Sequence, residues 1–186
     1  PGGGFGAPGQ PAFGGGGGMN FVPMIVGGIV AVLGLVALIF TFVDLFGDLS
    51  DFREGLDAQA GDDDEARDQI LDMLGVFSPG TLTFMVLIVM VGALLTLGGG
   101  ALLALSGKLK GALQKLGPIA VTAGGALMLV FGIILMTGDT PDIDTPGANA
   151  EAATSSVLYL IFSILILAAG VLAIIPATAR MLGLGG

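Results

Sequence analysis

The chain has no cysteine, no histidine and no tryptophan, and only one tyrosine. Without Cys and His there can be no disulfide, no thiolate or imidazole metal site, no c-type haem attachment and no Cys or His catalytic dyad. The missing Trp removes the usual aromatic belt of a membrane protein. Charge is scarce too, at 11% of residues, with 6 basic and 15 acidic side chains. Apolar residues fill the 186 positions instead: AVILMFWYC make up 54%, and 34 glycines raise the share to roughly 72%, against about 45 to 50% in soluble globular proteins. So few charges, clustered in a few places, cannot form the polar shell that a soluble domain of this size needs. The expected class is an all-α polytopic membrane protein, a four-transmembrane-helix bundle.

Four apolar segments support this: residues 21–46, 82–106, 117–136 and 157–175, of 26, 25, 20 and 19 residues. Each is close to or above the ~20 residues that cross a ~30 Å hydrocarbon core. Apart from Asp44, none contains an ionisable side chain. A core starting at Val22 ends near Thr41 after ~20 residues of ~1.5 Å rise, which places Asp44 just beyond it as an interfacial residue rather than an ion-pathway acid. The first segment is too long for a signal-peptide h-region, and no Lys or Arg precedes Arg53, so it is expected to remain as a span.

The remaining charges sort by segment. Residues 44–72 hold eleven acids and two arginines, Arg53 and Arg67. Asp139, Asp142, Asp144 and Glu151 form a second acidic stretch, and Lys108, Lys110, Lys115 and Arg180 complete the total. The distribution is −13 on the two acidic loops, 47–81 and 137–156 with Asp44 at the border, against +4 on the connector 107–116 and the C-terminal tail 176–186. Lys and Arg in short loops mark the cytoplasmic side. The expected location is thus the bacterial cytoplasmic (inner) membrane, multi-pass, with N and C termini cytoplasmic and the acidic loops outside.

Residues 1–20 form a tail of ten Gly and three Pro without charge, which has too little apolar area to offset its own chain entropy. Phe5 and Phe13 are its only large anchors, and are expected to dock the tail on a partner protein. In the first acidic loop, Ala66, Ile70, Leu74 and Phe77 share one stripe at helical spacing with Met73 beside it, predicting an amphipathic helix over 62–77 that covers the bundle mouth or a neighbour. The second acidic loop has two Thr-Pro steps and reads as an extended connector.

Every span carries small residues three or four apart, among them Gly27, Ala31 and Gly34, then Gly92, Thr96 and Gly99. In lipid such seams let helices approach closely, whether within one bundle or onto another subunit. The run Gly98-Gly99-Gly100 is read as close packing or partner docking rather than as a broken transporter helix, since no second broken helix accompanies it. Asp62, Asp63, Asp64 and Glu65 lack the alternating spacing and central glycine of a Ca²⁺ loop and read as a helix start. Lys108, Lys110 and Lys115, interleaved with leucines, are candidates for anionic-lipid contact at roughly 1 kcal/mol per charge. No metal site, no catalytic set and no cofactor is expected. No P-loop ending follows the glycine clusters, and no basic patch with aromatics points to nucleic acid.

In layout, with a Gly/Pro tail, four Ala/Gly/Leu/Val-rich spans, acidic outer loops and few lysines, the chain resembles the small four-span membrane proteins of actinobacteria, which include accessory subunits of the respiratory cytochrome bcc-aa3 supercomplex. That resemblance implies an inner-membrane protein without cofactors that stabilises or assembles a larger machine. The functional expectation is therefore a non-catalytic accessory or assembly subunit, not an enzyme, whose partners are other integral membrane subunits and membrane lipids. The alternative is a small transporter or channel for an apolar or lipid-like solute. It is disfavoured because the spans lack embedded charges, and Thr41, Thr96, Thr122 and Ser163 are the only hydroxyls well inside.

Overall fold

The computed structural model describes residues 21–109, 112–138 and 154–175. Its elements are α1 (Phe21–Val43), a π-helical turn (Asp44–Asp48), α2 (Leu49–Ala60), α3 (Asp64–Leu74), α4 (Pro79–Ala104), a 3₁₀ turn (Ser106–Lys108), α5 (Ala112–Gly138) and α6 (Ser156–Ile174). The described chain is all-helical. Within it, four helical runs are long and apolar enough to cross a membrane: Phe21–Ala60, Pro79–Ala104, Ala112–Gly138 and Ser156–Ile174.

Neighbours in sequence pack as neighbours in space. The large contacts are α1 with α4, α4 with α5, and α5 with α6, and a much smaller one joins α1 to α6. The large contacts are made at glycine. A Cβ on Gly100 would stand 2.6 Å from the Ala31 backbone nitrogen, and one on Gly34 2.7 Å from that of Leu97. On the next seam, a Cβ on Gly99 would lie 2.8 Å from Val121 N, and one on Gly124 2.5 Å from Gly92 O. Gly125 meets Leu167 and Gly170 meets Thr122 in the same way between α5 and α6. Backbones this close exclude any side chain, so the small-residue seams serve the chain's own bundle. Val30, Ala37, Val86, Val89, Val121, Met128 and Ile166 fill the space between seams and are all buried.

The first span differs from its expected limits. The helix does not stop at 46 but runs on to Ala60, because no proline interrupts 47–60 and Leu49 and Leu56 bury against the bundle. Its buried stripe is Gly27, Val30, Gly34, Ala37, Thr41 and Asp44, alternating steps of three and four, and then jumps five residues to Leu49 and seven to Leu56. The π-helical turn supplies the extra residue in that jump, since each i→i+5 bond widens the helix by one position. Without it, Leu49 and Leu56 would be rotated away from the interior.

The expected loop helix is present but shorter, Asp64–Leu74. Asp63 accepts hydrogen bonds from the backbone N–H of Glu65 and Ala66, and Gly75, at φ 68°, closes the far end. That glycine stops the helix before Phe77, so the buried residue is Leu71, while Met73 is 81% exposed. Phe77 instead donates its N–H to Gly138 O at 2.8 Å and lays its ring where a Gly138 side chain would be. α4 begins at Pro79 behind the Ser78 cap, whose Oγ accepts from Thr81 N. α5 starts at Ala112, five residues before the expected 117, with Pro118 inside its second turn.

Candidate functional site

The most unusual group in the bundle is Asp44. It lies at the acidic end of α1, in the first position of the π-helical turn, with 0% of its surface exposed. The sequence places it just beyond the first apolar core as an interfacial residue, and at that level of the helix the structure surrounds it with protein. Three donors converge on its two oxygens. Ser155 Oγ donates to Oδ1 at 2.8 Å, the Ser155 backbone N–H to Oδ2 at 2.8 Å, and Tyr159 Oη to the same Oδ2 at 2.5 Å. All three come from the start of α6, so one carboxylate ties the first long helix to the last.

The local reasons are legible. Asp44 continues the three-four stripe of α1 and so points into the protein. Ser155 is the N-cap of α6 but makes no side-chain cap bond to its own helix, leaving its hydroxyl free to turn to Asp44. Tyr159 sits one turn further on, fully buried. A carboxylate at this place also suits the positive end of the α6 dipole and its unpaired N–H groups. One turn below the latch, the rings of Phe40 and Phe162 meet at 6.4 Å between centroids across the same narrow seam.

Chemically, Asp44 is an acceptor with all three donors oriented by packing. A hydrogen bond to a charged group is worth about 1.5 to 3 kcal/mol, and three that share one buried carboxylate amount to less than their sum because its desolvation offsets them. Among the described residues no group of three or more metal-ligating side chains gathers here or elsewhere. The hydroxyls singled out in the apolar segments turn to their own helices: Thr41 to Leu38 O, Thr96 to Gly92 O, Thr122 to Pro118 O and Ser163 to Leu160 O.

The sequence-predicted site residues are dispersed. Gly99 packs on α5 and Gly100 on α1, whereas Gly98 faces outward with nothing within 4 Å of its Cβ position. Lys108 and Lys115 are exposed at the opposite end of the bundle from Asp44. Phe5, Phe13, Lys110, Arg180 and the second acidic stretch lie outside the described residues. Sequence reasoning missed Ser155 and Tyr159. The available signal was that the only tyrosine of the chain sits one turn into the last span, while the only acid of the four apolar segments closes the buried stripe of the first.

Comparison of the chain with protein-family models, with curated proteins and with solved structures returns no match.

Proposed function

We propose that the chain is a multi-pass protein of the bacterial cytoplasmic membrane, with both termini on the cytoplasmic side, acting as a non-catalytic accessory or assembly subunit of a larger membrane complex. A respiratory supercomplex is the kind of assembly its layout resembles. The observation that carries this reading is the use made of the interior. Glycine seams bring three helix pairs to backbone contact, the four intramembrane hydroxyls bond their own helices, and the one buried acid of the spans is saturated by α6. A rigid, apolar-walled bundle of this kind offers shape and surface to a larger machine. Lys108 and Lys115 at one end and the acids of α2 and α3 at the other support the orientation.

Purification in a mild detergent followed by mass spectrometry of the intact assembly tests the proposal. Stoichiometric integral-membrane partners are the expected result, and migration of the chain alone would defeat it. The small α1–α6 contact favours a second reading, a carrier for an apolar solute entering sideways between these helices. Solute flux in reconstituted liposomes, lost when Gly98, Gly99 and Gly100 are widened, would support that reading over the first.

A further inference from the structure

The two arginines of the acidic end meet in one place. A cavity of about 310 Å³ opens between α2, α3 and the start of α4, lined by Arg53, Arg67, Asp57, Asp68, Ser78 and Gly80 among others. Leu56 and Leu71, buried at 3% and 6% exposure, form its apolar wall.

The charges around it are unequally engaged. Arg67 makes both ion pairs of the described residues, to Asp57 at 2.5 Å and to Asp64 at 3.6 Å, while its buried Nε finds no acceptor. Arg53 and Asp68 line the same cavity and form no ion pair with each other or with any described residue. The cavity thus presents one unpaired cation, Arg53, and one unpaired anion, Asp68, beside the Ser78-capped start of the 26-residue helix α4. A bare anion would meet the repulsion of the surrounding acids. A zwitterion would satisfy both unpaired charges, its anionic part on Arg53 and its cationic part on Asp68.

A second feature says what else the occupant carries. From Gly80 on the cavity rim, Phe84, Leu87, Val91 and Leu94 follow at steps of four, three, four and three, so they run down one face of α4. They are 62%, 40%, 48% and 47% exposed. Fourteen residues at ~1.5 Å each extend this apolar track ~21 Å from the cavity, more than the ~15 Å half-thickness of a hydrocarbon core.

We infer that the cavity holds the phosphate and primary ammonium of a phosphoethanolamine headgroup, with the acyl chains of that phospholipid lying along Phe84, Leu87, Val91 and Leu94. This rests on the reading that the four apolar helices span a membrane. The phosphodiester takes the Arg53 guanidinium, and the ammonium, unlike a quaternary choline, can donate hydrogen bonds to Asp68.

The test is mass spectrometry of the intact full-length protein released from detergent after incubation with phosphatidylethanolamine, phosphatidylcholine or phosphatidylglycerol of equal chain length. Phosphatidylethanolamine is expected to be retained about fivefold more than either competitor, the scale of one headgroup charge contact. Arg53→Gln and Asp68→Asn, both at exposed positions and each expected to leave the circular dichroism unchanged, should abolish the preference. Lys115→Gln at the other end should keep it. Equal retention of the ethanolamine and choline lipids, or preference that survives both variants, overturns the inference. Stronger retention of phosphatidylglycerol lost only in Arg53→Gln would show a plain anion site and overturn it as well. Free phosphoethanolamine at equal concentration should not displace the lipid; displacement would mean that the α4 track contributes nothing and that the occupant is a soluble headgroup. Failure of the protein to float with vesicles would overturn the membrane reading itself, whereas floating without lipid preference would overturn only this inference.

Discussion

Three seams of this bundle close by backbone approach at glycine, and the fourth closes through the side chains of Asp44, Ser155 and Tyr159. The difference is one of directionality and extent. Gly34, Gly27 and Gly100 bring α1 and α4 together over more than two helical turns through dispersion alone, which needs no partner geometry and works equally well in lipid, where no hydrophobic expulsion operates between helices. The α1–α6 seam carries the Asp44 latch and the Phe40–Phe162 contact, both toward the acidic end. One kind of closure is spread along the helices and fails only by steric intrusion; the other is local and can be cut by removing a few atoms.

Substitutions that intrude on a glycine seam should have the largest effect. Gly100→Leu pushes a side chain into the Ala31 backbone, with no flexible group to give way, and is expected to cost about 3 kcal/mol or more, or to prevent folding, in detergent unfolding measurements. Cutting the latch comes next. Asp44→Ala removes the shared acceptor of Tyr159 Oη and the two Ser155 donors and should cost about 2 to 4 kcal/mol in the same measurement. Tyr159→Phe removes one donor and should cost about 1 to 2 kcal/mol. In the double variant the two losses should fall short of additive by about 1 kcal/mol or more, because both remove the same bond.

Smaller effects mark the edges of the comparison. Gly75→Ala, at a left-handed φ, should destabilise the α3 end by about 1 kcal/mol, without touching either kind of seam. Gly98→Ala, with open space at its Cβ position, should raise stability by up to about 1 kcal/mol through helix propensity alone. If Gly98→Ala proved as harmful as Gly100→Leu, the division of this glycine run between packed and outward positions would be wrong.

The four long helices were legible because apolar stretches of about twenty residues leave few alternatives. The acidic-loop helix was legible from its periodicity, but its stripe was placed one position away from Leu71, since Gly75 ends the helix before Phe77 can join it. The continuation of α1 to Ala60 was hidden by composition: charge in 47–60 reads as loop, although the buried Leu49 and Leu56 hold the stretch on the bundle as helix. The π-helical turn was hidden more deeply. It becomes visible only as a five-residue step between Asp44 and Leu49 once burial is known. The Asp44 latch joins residues 111 and 115 positions apart, a pairing that spacing within either helix cannot express.

The absence of native cysteine makes the central contrast directly measurable, because two introduced cysteines are the only spin-label sites. Labels at the exposed positions Phe46→Cys and Val157→Cys report on the α1–α6 seam, and a pair at Val91→Cys and Ile133→Cys reports on α4–α5. Pulsed electron-spin distance measurements in lipid bilayers should give narrow distributions for both pairs in the otherwise native chain. Adding Asp44→Ala should broaden and lengthen the α1–α6 distance while leaving α4–α5 unchanged. An α1–α6 distribution that stays narrow without the carboxylate, or equal broadening at both seams, would contradict the view that the Asp44 latch is the main closure of the bundle's fourth side.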